Sequence, residues 1–97
     1  MRNVNKKPKP ADPLLVAFGR AVLAQRNALG ISQEELAHRA DLHRTYIGDI
    51  ERGKRNVALK NIWSLAAALE IQADELIRIT ARNIGPTAAS STRRKRT

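Results

Sequence analysis

Apolar residues recur along this chain at intervals of three and four and never in sustained strict alternation, so the pattern predicts helices and no strands. Leu14, Leu15, Phe18, Val22 and Leu29 mark the first stripe. It opens on Asp12-Pro13, an acidic cap followed by proline at the first helical position, and Gly30 is its stop. A first helix is predicted over about 13–28. Ser32-Gln33-Glu34-Glu35 reads as a capping box, with Ser32 at the cap and Glu35 three residues on. A second helix follows over about 33–40 and is broken by Asp41, a residue type that tolerates the left-handed conformation. A third covers about 44–52 and stops at Gly53. After a loop from Lys54 to Ala58, the spacing of Leu59, Ile62, Leu65, Ala66 and Leu69 predicts a fourth over about 59–69. A fifth starts near Ala73-Asp74, carries Leu76, Ile77 and Ile79, and ends before Gly85-Pro86. The fold class is therefore all-α, five short helices in one domain over residues 12–85. Residues 1–11 and 86–97 are polar and without periodicity, and are expected to be disordered arms.

Charge changes this picture more than composition does. The net charge is +9. Of the 18 Lys and Arg, four lie in residues 1–11 and four in 86–97, with no acid in either flank. The remaining ten face nine Asp and Glu, so a near-neutral domain is flanked by basic arms. Basic arms suit a nucleic acid or an anionic membrane surface, or serve only as solubilising tails. There is no cysteine, which excludes disulfides and thiolate metal sites and fits a reducing compartment. No apolar run approaches the roughly 18 residues of a membrane span. The basic N-terminus lacks an apolar segment and does not read as a secretory signal. The expected location is the cytoplasm, nucleoid-associated when on DNA, with no membrane partner.

The informative stretch is 33–52. Two short helices meet at a tight turn, Ala40-Asp41-Leu42-His43, with Leu36, Ala37, Ala40, Leu42, Ile47 and Ile50 spaced to fasten the pair to a core. Ala37 must be small because the second helix crosses close to it. That is the pattern of a helix-turn-helix, whose second helix keeps a free face for the major groove.

The run SQEELAHRADLHRTYIGDIERGKRN resembles the Cro/CI-type (XRE-like) helix-turn-helix family of phage repressors and bacterial regulators. Within it, LHRTYIGDIERGKRNVALKNI is most similar to the controller proteins of restriction–modification systems. The resemblance covers about residues 18–80. It implies a compact lambda-repressor-like domain that binds double-stranded DNA as a homodimer, with RNA polymerase as a candidate further contact. It also implies an ion pair between Glu51 and Arg26, near the end of helix 1. Two departures stand out: Asp41 sits where glycine is common, and Ala58 replaces the usual Ser or Thr cap of helix 4.

At about 100° per residue, Thr45, Asp49 and Arg52 fall opposite Ile47 and Ile50, while Glu51 falls at the edge of the buried face. Arg44 is the first candidate for base reading, since its fork matches guanine, with phosphate contact as the alternative. Thr45 offers a hydroxyl or a methyl. Tyr46 suits a phosphate, a thymine methyl or a packing role. Asp49 can accept from cytosine, or bond Thr45, or hold Arg52 in place. Gln33 at a helix N-terminus, with His43, Arg52, Lys54, Arg55 and Asn56, forms the expected phosphate grip. Leu76, Ile77 and Ile79 are the expected dimer seam, with plain core packing as the alternative. His38 and His43 lie on poorly matched faces with no cysteine partner, and no catalytic arrangement appears, so neither a metal, a cofactor nor an enzyme is expected. A helix-turn-helix antitoxin that binds a toxin protein and its own promoter is the second reading, and a nonspecific DNA-coating protein a third.

Overall fold

The structure, a computed structural model, describes residues 10–85. The expected tail over 86–97 and nearly all of the expected arm over 1–11 lie outside those residues. Five helices follow in order: α1 (Pro13–Leu29), α2 (Gln33–Ala40), α3 (Arg44–Glu51), α4 (Leu59–Ala68) and α5 (Ala73–Ile84). Among the described residues there is no strand. Each boundary has a local cause. The Asp12 carboxylate accepts from the Leu14 amide at 2.9 Å, with Pro13 behind it. Gly30 ends α1 in the left-handed conformation. Ser32 Oγ accepts from the Glu35 amide at 3.0 Å. The reciprocal half of the expected capping box is not made, because the Glu35 carboxylate accepts from Arg39 Nε at 2.9 Å instead. Asp41 takes φ 59°, ψ 47° and closes α2, which accounts for an aspartate where glycine is common. Ala58 gives α4 no side-chain cap.

The core fills the space enclosed by all five helices. Val22 from α1, Leu36 from α2, Ile47 and Ile50 from α3, Leu65 from α4 and Leu76 from α5 are its fully buried large residues. α1 is the central strut, packing most extensively on α5 and also on α3. Asn83 Nδ2 donates to the Ala17 carbonyl at 3.1 Å and pins α5 to α1. Two glycines set how closely α1 and the end of α3 approach. A Cβ on Gly19 would collide with the backbone carbonyls of Ile50 and Glu51. Gly53, with φ +76°, is left-handed, and a Cβ there would lie 2.9 Å from Val16 Cα.

Two ends of the predicted apolar stripes are not core. Leu14 and Leu59 are exposed, each in the first turn of its helix. Leu76 is a larger correction to the expected dimer seam. It is completely buried within the protomer and cannot meet a partner surface. Ile79 is half-buried and packs on the same core. Of the three, only Ile77 is exposed. The reason lies at Thr80, which is buried one turn beyond Leu76, with its hydroxyl donating to the Leu76 carbonyl at 2.9 Å. The buried stripe of α5 therefore runs through a threonine that an aliphatic count passes over.

Candidate nucleic-acid interface

α3 divides its residues by face. Ile47, Gly48 and Ile50 are buried, whereas Arg44, Thr45 and the C-cap residue Arg52 are exposed and Asp49 is partly so. The helix is only eight residues long and has no side-chain cap at His43. Its fixed position must therefore come from tertiary bonds, since a helix this short is marginal alone.

Those bonds converge on Glu51. Its side chain is 5% exposed and Arg26's is 13%. Arg26 Nε donates to Glu51 Oε2 at 2.7 Å and Arg26 Nη2 donates to Oε1 at 3.0 Å, a bidentate pair joining α1 to the end of α3. Arg26 Nη1 also donates to the Ile31 carbonyl at 3.0 Å, which fixes the turn between α1 and α2. The hydrogen bond to Glu51 raises the Arg26 pKa above its ordinary value, against an opposing effect of burial. Gln33 then extends the network toward the surface. Its Nε2 donates to Glu51 Oε1 at 2.8 Å, and its Oε1 accepts from Arg44 Nη1 at 3.3 Å. Arg26, Glu51, Gln33 and Arg44 thus form one chain of contacts from the interior to the first turn of α3.

A second cluster lies at the other end of the exposed face. Asp49 Oδ1 accepts from Arg52 Nη2 at 2.6 Å, and Oδ2 accepts from Arg55 Nε at 3.3 Å. The Arg55 guanidinium lies 5.3 Å from the centre of the Tyr46 ring, within cation–π range. The Tyr46 hydroxyl accepts from Asn61 Nδ2 at 3.2 Å, so α4 steadies the ring. No Asp49–Thr45 bond is present. Lys54, Arg55 and Asn56 are exposed just after α3, and His43 is exposed just before it. Asn56 also borders an apolar groove lined by Leu14, Phe18 and Ile77.

Asn61 had no sequence signal. Nothing in the spacing of α4 says that its amide reaches fifteen residues back to a tyrosine. The resemblance did imply that Gln33 braces the third helix as well as touching the DNA backbone, and its bonds to Glu51 and Arg44 are that brace. Gly19 could have been suspected only as an interior helix glycine.

Two helices joined by a three-residue turn, the second held by its buried face and open on the other, define a helix-turn-helix DNA-binding domain. The match of residues 22–76 to the helix-turn-helix family model agrees, and the chain belongs to that family. It is similar to control protein C.BamHI of Bacillus amyloliquefaciens, 50% identical over 64 residues that cover 65% of this chain and 79% of that one. Among solved structures it resembles the restriction–modification controller C.AhdI of Aeromonas hydrophila, with TM-score 0.63 and 52% identity over 64% of this chain and 94% of that one. It also resembles the controller C.Esp1396I, solved as a tetramer in complex with its natural 35 base-pair operator, with TM-score 0.68 and 31% identity over 73% of this chain and 93% of that one.

Proposed function

We propose that the protein is a sequence-specific transcriptional regulator that binds a near-palindromic operator as a homodimer and controls a restriction–modification operon. One observation carries the reading. α3 presents Arg44, Thr45, Asp49 and Arg52 outward while Glu51, on the same helix, is tied to α1 and α2. A rigidly mounted helix with a free, hydrogen-bonding face is what direct readout requires. The similarity to controller proteins favours this reading over the antitoxin one.

In this reading Arg44 leads base recognition with Thr45 and Tyr46, and Gln33, His43, Lys54, Arg55 and Asn56 hold the phosphate backbone. Selection of bound duplexes from a random pool is the decisive experiment. It should enrich a near-palindrome whose half-sites lie about one helical turn apart. Failure to enrich any sequence would refute the proposal. Arg44→Ala should weaken binding to the enriched site by about 1–3 kcal/mol and relax the preference at one guanine per half-site. A uniform loss over all sequences would instead make Arg44 a phosphate contact.

The dimer seam moves to the outer face of α4 and α5. Leu59 is 68% exposed, Trp63 63% and Ile77 47%. Leu59 and Trp63 share one face of α4, four residues apart. Trp63 and Ala73 line one shallow cavity between α4 and the start of α5, and Ile62 and Ile77, from the same two helices, line another. Large exposed apolar residues clustered in this way mark an interaction surface. Trp63→Asp should convert a dimer to a monomer by sedimentation at micromolar concentration without loss of helix content. A wild-type chain that is already monomeric there counts against the seam.

A further inference from the structure

The acid on the exposed face has a role that base reading does not require. Asp49 uses its two carboxylate oxygens for two different arginines, Arg52 at 2.6 Å and Arg55 at 3.3 Å. Both arginines are more than half exposed, whereas the Asp49 side chain is 21% exposed. The surroundings are built to receive them. A Cβ on Gly48 would lie 3.3 Å from Arg52 Nη1, so the glycine leaves room for Arg52 to fold back along α3. The Tyr46 ring backs Arg55, and Asn61 fixes that ring. Exposed ion pairs contribute little to stability, so folding does not explain the arrangement. A carboxylate on a DNA-facing surface also repels phosphate. What the arrangement supplies is direction: two long cations that would otherwise reach any nearby phosphate are held by one acid.

We propose that Asp49 is a specificity-setting residue that acts through Arg52 and Arg55, withholding both from indiscriminate phosphate contact and aligning them for the groove geometry of the correct site. This inference rests on the operator-binding reading above. In it Asp49 is a positioning residue and touches no base. Its removal leaves the fold intact and improves the wrong kind of binding. Each phosphate contact contributes about 0.9 to the logarithmic salt slope. Two released arginines therefore steepen nonspecific binding by about one to two such units.

The test uses the full chain and two duplexes, the one enriched by the wild type and a scrambled version, titrated over a range of salt. Asp49→Asn should bind scrambled DNA about 3- to 10-fold more tightly at low salt, with a steeper slope and a reduced ratio of specific to nonspecific affinity. In an Arg52→Gln, Arg55→Gln background the same change should leave the slope unmoved. A merely structural Asp49 would lower thermal stability without altering the slope. If Asp49→Asn instead switches the preferred base at one position and leaves scrambled binding unchanged, Asp49 reads a base and the clamp is overturned. Unchanged affinity and slope on both duplexes overturn it as well. A wild-type chain that enriches no sequence overturns the operator reading and the clamp with it, whereas enrichment with an indifferent Asp49→Asn overturns the clamp alone.

Discussion

Replacing Glu51 by alanine should lower the stability of the domain by about 3–5 kcal/mol, a large part of what a domain this small possesses. The size follows from what is left behind. Arg26, whose side chain is 13% exposed in the intact pair, would be left with its charge unpaired, since Glu51 receives both of its interhelical ion-pair contacts. Gln33 would lose the acceptor for its Nε2 as well. Urea unfolding of Glu51→Ala measures the effect, and a loss below about 0.5 kcal/mol would contradict it. The pair is not a simple gain in stability, because desolvating two charges offsets much of their attraction. A double replacement, Arg26→Met with Glu51→Leu, should therefore recover most of the loss. It should not recover operator binding, because Gln33 and Arg44 would lose their anchor. Separation of stability from DNA affinity in the double variant distinguishes a network that positions α3 from one that only holds the fold.

The second large effect runs against helix propensity. Gly19→Ala in the middle of α1 would ordinarily stabilise a helix by about 1 kcal/mol. Here it should destabilise by about 3 kcal/mol, because the new Cβ meets backbone carbonyls of Ile50 and Glu51 that no side-chain rotation can move. For a domain of this length that is a fall of roughly 12–24 °C in melting temperature. Gly30→Ala provides the contrast: its strain is purely conformational, since nothing lies within 4 Å of the added Cβ. Calorimetry of the two variants separates steric collision from backbone preference. Equal losses would mean that α1 and α3 can move apart at little cost. Because Glu51 is one of the carbonyls involved, Gly19→Ala should also stretch the Arg26–Glu51 pair and disturb the mounting of α3.

Most of the architecture was legible because the start and stop residues carry local chemistry. Asp12-Pro13, Ser32, Asp41, Gly53 and Gly85 place the helix limits to within a residue or so. The separation of Ile47 and Ile50 from Thr45, Asp49 and Arg52 followed from helical geometry alone. Other features were not legible in this way. The end of α4 was placed to within a residue, but not the left-handed turn after it, which Glu70 makes at φ 65° with no glycine to announce it. The true core stripe of α5 passes through Thr80, so counting aliphatic residues assigned Leu76 to a seam it cannot reach. The partner of Tyr46, Asn61, is set by how helices cross, and a single-helix projection is blind to it, whereas the Asp49–Arg52 pair was among the readings of the exposed face and only the second partner, Arg55, was not. The exposed Leu59 and Trp63 were hidden for a related reason, since a stripe that faces solvent has the same period as one that faces the interior.

The division of α3 into a mounted face and a free face has a consequence for the diversity open to such a protein. Ile47 and Ile50 are buried in the core and Glu51 is tied to α1 and α2, while Arg44, Thr45 and Arg52 are exposed. Substitutions at the second set can accumulate without unfolding the first. One scaffold can therefore be readdressed to new operators by exchanging a few side chains, and two such regulators in one cell can diverge in target while their folding requirements stay the same.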